Sequence, residues 1–139
     1  MSANRIVIVA DDDEEVRAAI ESVLGRAGYE TRSARNGHEA LLALDGLGGR
    51  PCILVLDLMM HEMDGFEVLA VLARTHRLAT VPVIVCSAAW NGEPLPPGIR
   101  LCLLKPMSMD ALLGGLENLC RQESARGWGQ GRSGASELG

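Results

Sequence analysis

The chain has thirteen basic side chains, and only one of them is a lysine, Lys105. Arginine presents a rigid planar fork, whereas lysine places a compact point charge at the end of a long flexible stem. A point charge of this kind suits a phosphate group or a cluster of carboxylates in a tight pocket. The composition therefore indicates a specific chemical role for Lys105.

Four apolar runs end at residues that could take part in chemistry. These residues are Asp11-Asp12-Asp13, Asp57, Ser87 and Lys105. If the runs are parallel strands, their carboxyl ends meet at one edge of a sheet, where ligands bind in such folds. Carboxylates in one pocket repel each other, and a hard cation that prefers oxygen ligands, such as Mg²⁺, relieves the repulsion. The sequence therefore predicts a cation site at this edge.

Each of these residues also has a simpler interpretation. The role of Asp13 could simply be to cap the first helix, because Asp is a favoured residue at helix starts. Asp57 taken alone could be a turn residue, since Asp is common where strands end. The Asp64-Gly65 pair favours turn chemistry over catalysis, and the three histidines are expected to be exposed and non-catalytic.

The elements that must position these residues alternate along the chain. The predicted strands are residues 5–10, 29–34, 52–56, 81–86 and 100–104, and the predicted helices are residues 14–26, 38–47, 66–74 and a last one capped by Ser108. Alternation of this kind is typical of an α/β doubly wound parallel sheet. We predict one domain over residues 1–123 and a flexible tail rich in glycine and serine over residues 124–139.

Composition narrows the class of protein further. The four cysteines are predicted to be small buried hydrophobes in a reducing cytosol. There is no apolar run of about 18 residues, so membrane insertion is not expected. A net charge of −5 argues against direct nucleic-acid binding. We expect a cytoplasmic protein.

Five segments together resemble the receiver domain of two-component response regulators. They are residues 7–17, 54–60, 63–69, 87–88 and 105–106, and the resemblance covers roughly residues 5–122. It implies a flavodoxin-like five-stranded parallel sheet in the order 2-1-3-4-5. It also implies a phosphorylation switch in two-component signalling, with a histidine kinase or histidine phosphotransfer protein as the phosphodonor and a downstream protein effector that the sequence does not name.

The resemblance also implies a role for each site residue. Asp12 and Asp57 would ligate Mg²⁺ directly together with the backbone carbonyl of Met59, and Asp11 would act mostly through water. Asp57 would accept the phosphoryl group from a phosphohistidine, and Lys105 and Ser87 would hold its oxygens. Such a domain catalyses its own phosphorylation and slow dephosphorylation, and it is not otherwise an enzyme.

Several positions depart from the receiver pattern. Cys102 lies where receivers usually carry a Tyr or Phe that reports the state of the switch. Residues 88–99 contain three prolines, so the fourth helix is expected to be missing or very short, with Trp90 in the replacement loop. His61 occupies a position where most receivers have proline, and it could contact the incoming kinase or alter the lifetime of the acyl phosphate.

These departures favour an alternative, a receiver-like module that binds proteins without phosphorylation. The presence of a complete site argues against it, since the chain has the acidic pair Asp11 and Asp12 as well as Asp57, Ser87 and Lys105. A phosphatase of the haloacid dehalogenase type would need a second Asp two residues after Asp57, where this chain has Met59. A flavodoxin would need a phosphate-binding loop after the first strand, where three carboxylates would repel the flavin phosphate.

Overall fold

The computed structural model describes residues 5–88, 94 and 98–125. Strands and helices alternate through this part of the chain in the predicted way. The strands are β1 (Ile6–Ala10), β2 (Glu30–Ala34), β3 (Cys52–Leu56), β4 (Val83–Ser87) and β5 (Ile99–Leu104), and the helices are α1 (Glu14–Arg26), α2 (Gly37–Gly46), α3 (Gly65–Arg74) and α4 (Met109–Ala125).

The five strands form one parallel sheet in the order β2-β1-β3-β4-β5. The predicted doubly wound fold and its strand order are therefore confirmed. In the central strands β1, β3 and β4 every residue is buried, because helices cover both faces of a parallel sheet. In β5, at the edge of the sheet, the residues are only partly buried and Leu104 is exposed.

The core lies in two layers, one on each face of the sheet. One layer packs α2 and α3 against the sheet through Ala40, Leu44, Val68, Leu69 and Leu72. The other packs α1 and α4 against the opposite face, through Ile20, Leu24, Leu112, Leu116 and Leu119. Because both faces are covered, the polar carboxyl edge of the sheet is left as the place where functional side chains collect.

Polar side chains fix the starts of the helices at this edge. Asp13 caps α1 by accepting hydrogen bonds from the backbone N–H groups of Glu15 and Val16, at 3.0 and 3.2 Å. Asp64 and Glu67 form a reciprocal capping box at the start of α3. The capping interpretation of Asp13 is therefore confirmed, as is Ser108 as the cap of α4. Asp64 was predicted as a turn residue, but it caps α3, and Gly65 is the first residue of that helix.

Two predicted boundaries lie near the limits of the described residues. Helix α4 continues to Ala125, so it ends two residues beyond residue 123, the predicted end of the domain. Residues 126–139 lie outside the described part. Between β4 and β5 the described residues are Ala88, Pro94 and Gly98, and none of them is helical. Trp90, Pro96 and Pro97 lie outside the described residues, so the prediction for the replacement loop stays a prediction.

The cysteines match their predicted role as apolar packing residues. Cys52, Cys86 and Cys120 are buried and Cys102 is partly buried, and all four thiols are free. Burial raises the pKa of the Cys52 thiol to about 11, which keeps it protonated at neutral pH. No helix in the described part of the chain is long and apolar enough to cross a membrane.

Candidate functional site

Three carboxylates meet at the carboxyl edge of the sheet. Asp11 and Asp12 follow β1, and Asp57 follows β3, the strand that pairs with β1 in parallel register. One carboxylate oxygen from each residue lies within 4.8 Å of the others. The predicted acidic cluster therefore forms, and it forms because neighbouring strands end at the same level.

Lys105 connects two of these carboxylates. It follows β5, and its Nζ forms ion pairs with Asp57 Oδ2, at 3.2 Å, and with Asp11 Oδ2. Its backbone N–H donates to the carbonyl of Ser87, at 3.1 Å. The only lysine of the chain therefore lies where the composition indicated, against buried carboxylates. The Lys105-Pro106 peptide bond is cis.

Asp57 is enclosed by the site. Its side chain is 8% exposed, and its Oδ1 accepts a hydrogen bond from the backbone N–H of Met59, at 3.1 Å. Burial, with a smaller contribution from Asp11, raises its pKa above the ordinary value, although the Met59 N–H and Lys105 work in the opposite direction. Burial lowers the pKa of Lys105, but its ion pairs with Asp11 and Asp57 outweigh this and leave that pKa raised.

Two predicted site residues lie beside this cluster. Ser87 is buried at the end of β4; Leu56 pairs with Val85, so Asp57 and Ser87 follow at the same edge of the sheet. Met59 lies in the loop after β3 with an exposed side chain, so the thioether does not fill the pocket. Ligation through the Met59 carbonyl and hydrogen bonding by the Ser87 hydroxyl stay predictions.

Gly65 lies close against the backbone of Asp57 and Leu58. The N–H of Gly65 donates to the carbonyl of Leu58, at 3.0 Å. A Cβ atom on Gly65 would lie 2.5 Å from the carbonyl oxygen of Asp57 and 2.7 Å from Leu58 Cα. Glycine at this position therefore allows the start of α3 to approach the strand end that carries Asp57.

Sequence patterns did not reveal two contacts of the site. Arg17 lies on α1 among apolar neighbours, and its buried guanidinium donates to the backbone carbonyl of Asp11, at 2.7 Å. His61 is exposed, as predicted, but it contacts Asp12 through both its backbone N–H and its ring. The predicted exposure of His61 is therefore confirmed, whereas its contact with Asp12 was not predicted. The only sequence signal was its unusual position after Asp57.

The donor set fits a hard divalent cation. It consists of carboxylate oxygens, which Mg²⁺ and Ca²⁺ prefer, and contains no thiolate. Three carboxylates with one lysine leave excess negative charge in a mostly buried pocket, which a cation would neutralise. Asp11, Asp12 and Asp57 are therefore the residues that could hold Mg²⁺.

Comparisons with known proteins agree with this geometry. A family profile described as the response regulator receiver domain matches residues 7–117. The chain belongs to the response regulator receiver domain family. It is 33% identical over 127 residues to the transcriptional regulatory protein GltR of Pseudomonas aeruginosa, covering 88% of this chain and 52% of GltR. It is 34% identical over 113 residues to the regulatory protein AtoC of Escherichia coli, covering 78% of this chain and 23% of AtoC.

Solved structures show the same fold. The receiver domain of the Francisella response regulator 1452 superposes with a TM-score of 0.74 and 31% identity, covering 86% of this chain and 98% of that one. TrrA from Thermotoga maritima, solved with Mg²⁺ and BeF, superposes with a TM-score of 0.71 and 23% identity, covering 83% of this chain and 98% of that one. The chain spans about half or less of the length of GltR and AtoC.

Proposed function

We propose that this domain is a phosphorylation switch in which Asp57 accepts a phosphoryl group in a Mg²⁺-dependent reaction. The observation that carries the proposal is the bridge from Lys105 to Asp11 and Asp57 within the acidic cluster. It places an ammonium group directly beside a buried carboxylate, as phosphoryl transfer requires for its negatively charged oxygens. TrrA, which shares this fold, accommodates both Mg²⁺ and a phosphoryl mimic.

The phosphodonor in this proposal is a phosphohistidine of a histidine kinase or a histidine phosphotransfer protein. A carboxylate oxygen of Asp57 attacks phosphorus, the P–O bond forms, and the P–N bond of the phosphohistidine breaks with its electron pair returning to the imidazole. Lys105 pairs with one phosphoryl oxygen. The Ser87 hydroxyl and the Ala88 N–H donate hydrogen bonds to another. Mg²⁺, when bound, neutralises phosphoryl oxygen charge.

The product is an acyl phosphate on Asp57, which water later hydrolyses within the same site. The domain therefore promotes its own phosphorylation and slow dephosphorylation, and it does not turn over a separate substrate. We place this activity in the cytoplasm, where phosphohistidine donors operate. Contact of the phosphoryl group with Ser87 and Ala88 couples phosphorylation to the chain that follows β4, which is the route by which a protein effector would sense the modification.

Phosphorylation of purified protein by acetyl phosphate tests the assignment. Wild-type protein should gain one acid-stable, alkali-labile phosphoryl group in Mg²⁺, and chelation of Mg²⁺ should abolish the gain. Asp57→Asn should not be modified. Asp13→Asn is the matched control, because it removes the same charge nearby while Asn keeps the helix cap. Equal modification of wild type and Asp57→Asn would refute the assignment of Asp57.

An apolar groove beside Lys105 favours a phosphodonor that presents its phosphohistidine on a helix. Its lining includes Val16 and Ala19 from α1 and Pro106, Met107 and Met109 from the chain after β5. Methionine side chains adapt readily to the surface of a partner. Since Lys105 also lines this groove, a helix seated in it would carry its phosphohistidine to Asp57.

Substitutions on α1 separate docking from chemistry. Ala18 and Ala19 are both exposed, but only Ala19 lines the groove. Ala19→Glu therefore places a charge in the groove, whereas Ala18→Glu makes the same change on the same helix outside it. Ala19→Glu should slow transfer from a phosphorylated histidine phosphotransfer protein by about tenfold or more, since a charge buried without a partner costs more than 1 kcal/mol. Phosphorylation by acetyl phosphate should not change. Equal effects of the two substitutions on protein-to-protein transfer would exclude the groove.

A further inference from the structure

His61 holds Asp12 at two points. The backbone N–H of His61 donates to Asp12 Oδ2 at 3.0 Å, and the ring Nδ1 lies 2.6 Å from the same oxygen. An ionised carboxylate can only accept, so the ring proton lies on Nδ1 in this contact. The two hydrogen bonds join the loop after β1 to the loop after β3.

Asp12 differs from the other two carboxylates of the cluster in how it is held. The side chains of Asp11 and Asp57 are 3% and 8% exposed and are fixed by Lys105, whereas that of Asp12 is 23% exposed. Within the described part of the chain, the hydrogen bonds to the Asp12 carboxylate come from His61. Partial burial works to raise the pKa of Asp12, but these hydrogen bonds lower it below its ordinary value.

The contact leaves room for a cation. A carboxylate offers about four lone-pair directions on its two oxygens. The hydrogen bonds from His61 both end on Oδ2, so they use about half of this capacity. Asp12 is therefore held in one orientation and keeps oxygen lone pairs available to the pocket it shares with Asp11 and Asp57.

We propose that His61 is a positioning residue for the cation site, which orients Asp12 before the cation arrives. The inference rests on the proposed function, because the cation is the one that Asp57 chemistry needs. Residues that orient ligating side chains typically change metal affinity by about 10–100-fold. The His61 side chain is 95% exposed, so water competes with its hydrogen bond, and the effect belongs at the lower end of this range.

Calorimetric titration of purified protein with Mg²⁺ at one fixed pH tests the proposal. His61→Ala should weaken Mg²⁺ binding by about tenfold. His61→Asn should recover most of the affinity, because the Asn amide nitrogen is as many bonds from Cα as Nδ1 and can donate to Asp12. His38→Ala, the same substitution at an exposed histidine on α2, should bind like wild type.

A second readout separates positioning from loss of structure. At saturating Mg²⁺, His61→Ala should reach the wild-type extent of phosphorylation by acetyl phosphate, because only the affinity of the site has changed. A variant that had lost the local structure would stay impaired at every Mg²⁺ concentration, and this result would overturn the positioning role.

The outcomes distinguish this inference from the proposed function. If wild type binds Mg²⁺ and His61→Ala binds it equally well or more tightly, His61 does not position Asp12 for the cation, and only this inference fails. If wild type does not bind Mg²⁺ at all, the proposed function fails and this inference fails with it.

Discussion

Asp57 should destabilise the protein when no cation is bound, and Asp57→Asn should therefore stabilise it. The residue is buried next to two other carboxylates, and Lys105 is the cation that pairs with its carboxylate. Burial and the neighbouring Asp11 raise the pKa of Asp57 above its ordinary value, although Lys105 and a backbone N–H oppose this. A raised carboxylate pKa means that the ionised form is less favourable in the folded protein than in the unfolded chain.

The distances in the site set the magnitude of this effect. Two carboxylates lie within 4.8 Å of Asp57, and each repels it by about 3.5 kcal/mol at an effective dielectric constant of about 20. Lys105 attracts it from 3.2 Å with about 5 kcal/mol. The repulsion exceeds the attraction by about 2 kcal/mol, and Asn loses both. We expect Asp57→Asn to raise the free energy of unfolding by about 1–2 kcal/mol.

Thermal unfolding in the presence of a chelator measures this change. For a domain of this size, 1 kcal/mol corresponds to about 4 °C in Tm, so the variant should melt roughly 4–8 °C higher than wild type. Mg²⁺ at ten times its Kd should stabilise wild type by about 1.4 kcal/mol and close most of the gap. The variant should gain less, because it has lost a ligand.

The pH dependence has a defined sign. Below the ordinary pKa of 3.8, Asp57 is protonated in both the folded and the unfolded protein, and wild type should match Asp57→Asn. As pH rises through that value and then through the raised pKa of the folded protein, wild type should lose stability relative to the variant. Asp13→Asn should show no such gap, since Asp13 is an exposed cap. A chelated Asp57→Asn protein that is less stable than wild type at neutral pH would show that the ion pair with Lys105 outweighs the repulsion.

Three further substitutions test neighbouring parts of the site. Lys105→Arg should slow phosphorylation by acetyl phosphate by at least about tenfold, because a planar fork cannot replace a point charge between two carboxylates; an unchanged rate would contradict this. Gly65→Ala should destabilise the protein by about 1–3 kcal/mol in denaturant unfolding, because the new Cβ would clash with the backbone of Asp57 and Leu58. Gly46→Ala is the control and should not destabilise the protein, because the space around Gly46 is open. Arg17→Met should cost about 1–3 kcal/mol in the same assay by leaving the Asp11 carbonyl without its donor, and a neutral result would show that water replaces the guanidinium.

Local sequence signals predicted the elements of this fold well. The unbroken apolar run of β3 was predicted with its observed bounds, and α1 was predicted to begin and end at the observed residues. Both depend on local physics, namely burial on two faces and an Asp cap followed by helical periodicity. The start of β4 was misplaced by two residues, because Val81 is apolar and buried but lies before the strand. Apolarity reports burial and does not by itself report pairing.

The residues of the acidic cluster were predictable for a related reason. Each follows an apolar run, and the parallel sheet brings the ends of such runs together whatever their separation along the chain. The lone lysine added an independent indication, since composition alone marked it as different from twelve arginines. Neither inference needed a knowledge of side-chain directions, which explains why both succeeded.

Arg17 and His61 show where this kind of inference ends. Helical periodicity places Arg17 next to the apolar face of α1, but only the path of the Asp11 backbone makes its burial favourable. His61 reaches Asp12 because two loops from different strands pass each other at the site. Both residues contact the chain around the predicted ligands and were not predicted themselves. The side chains that orient a ligand are set by loop geometry, so they must be found in the structure even where the ligands can be read from the sequence.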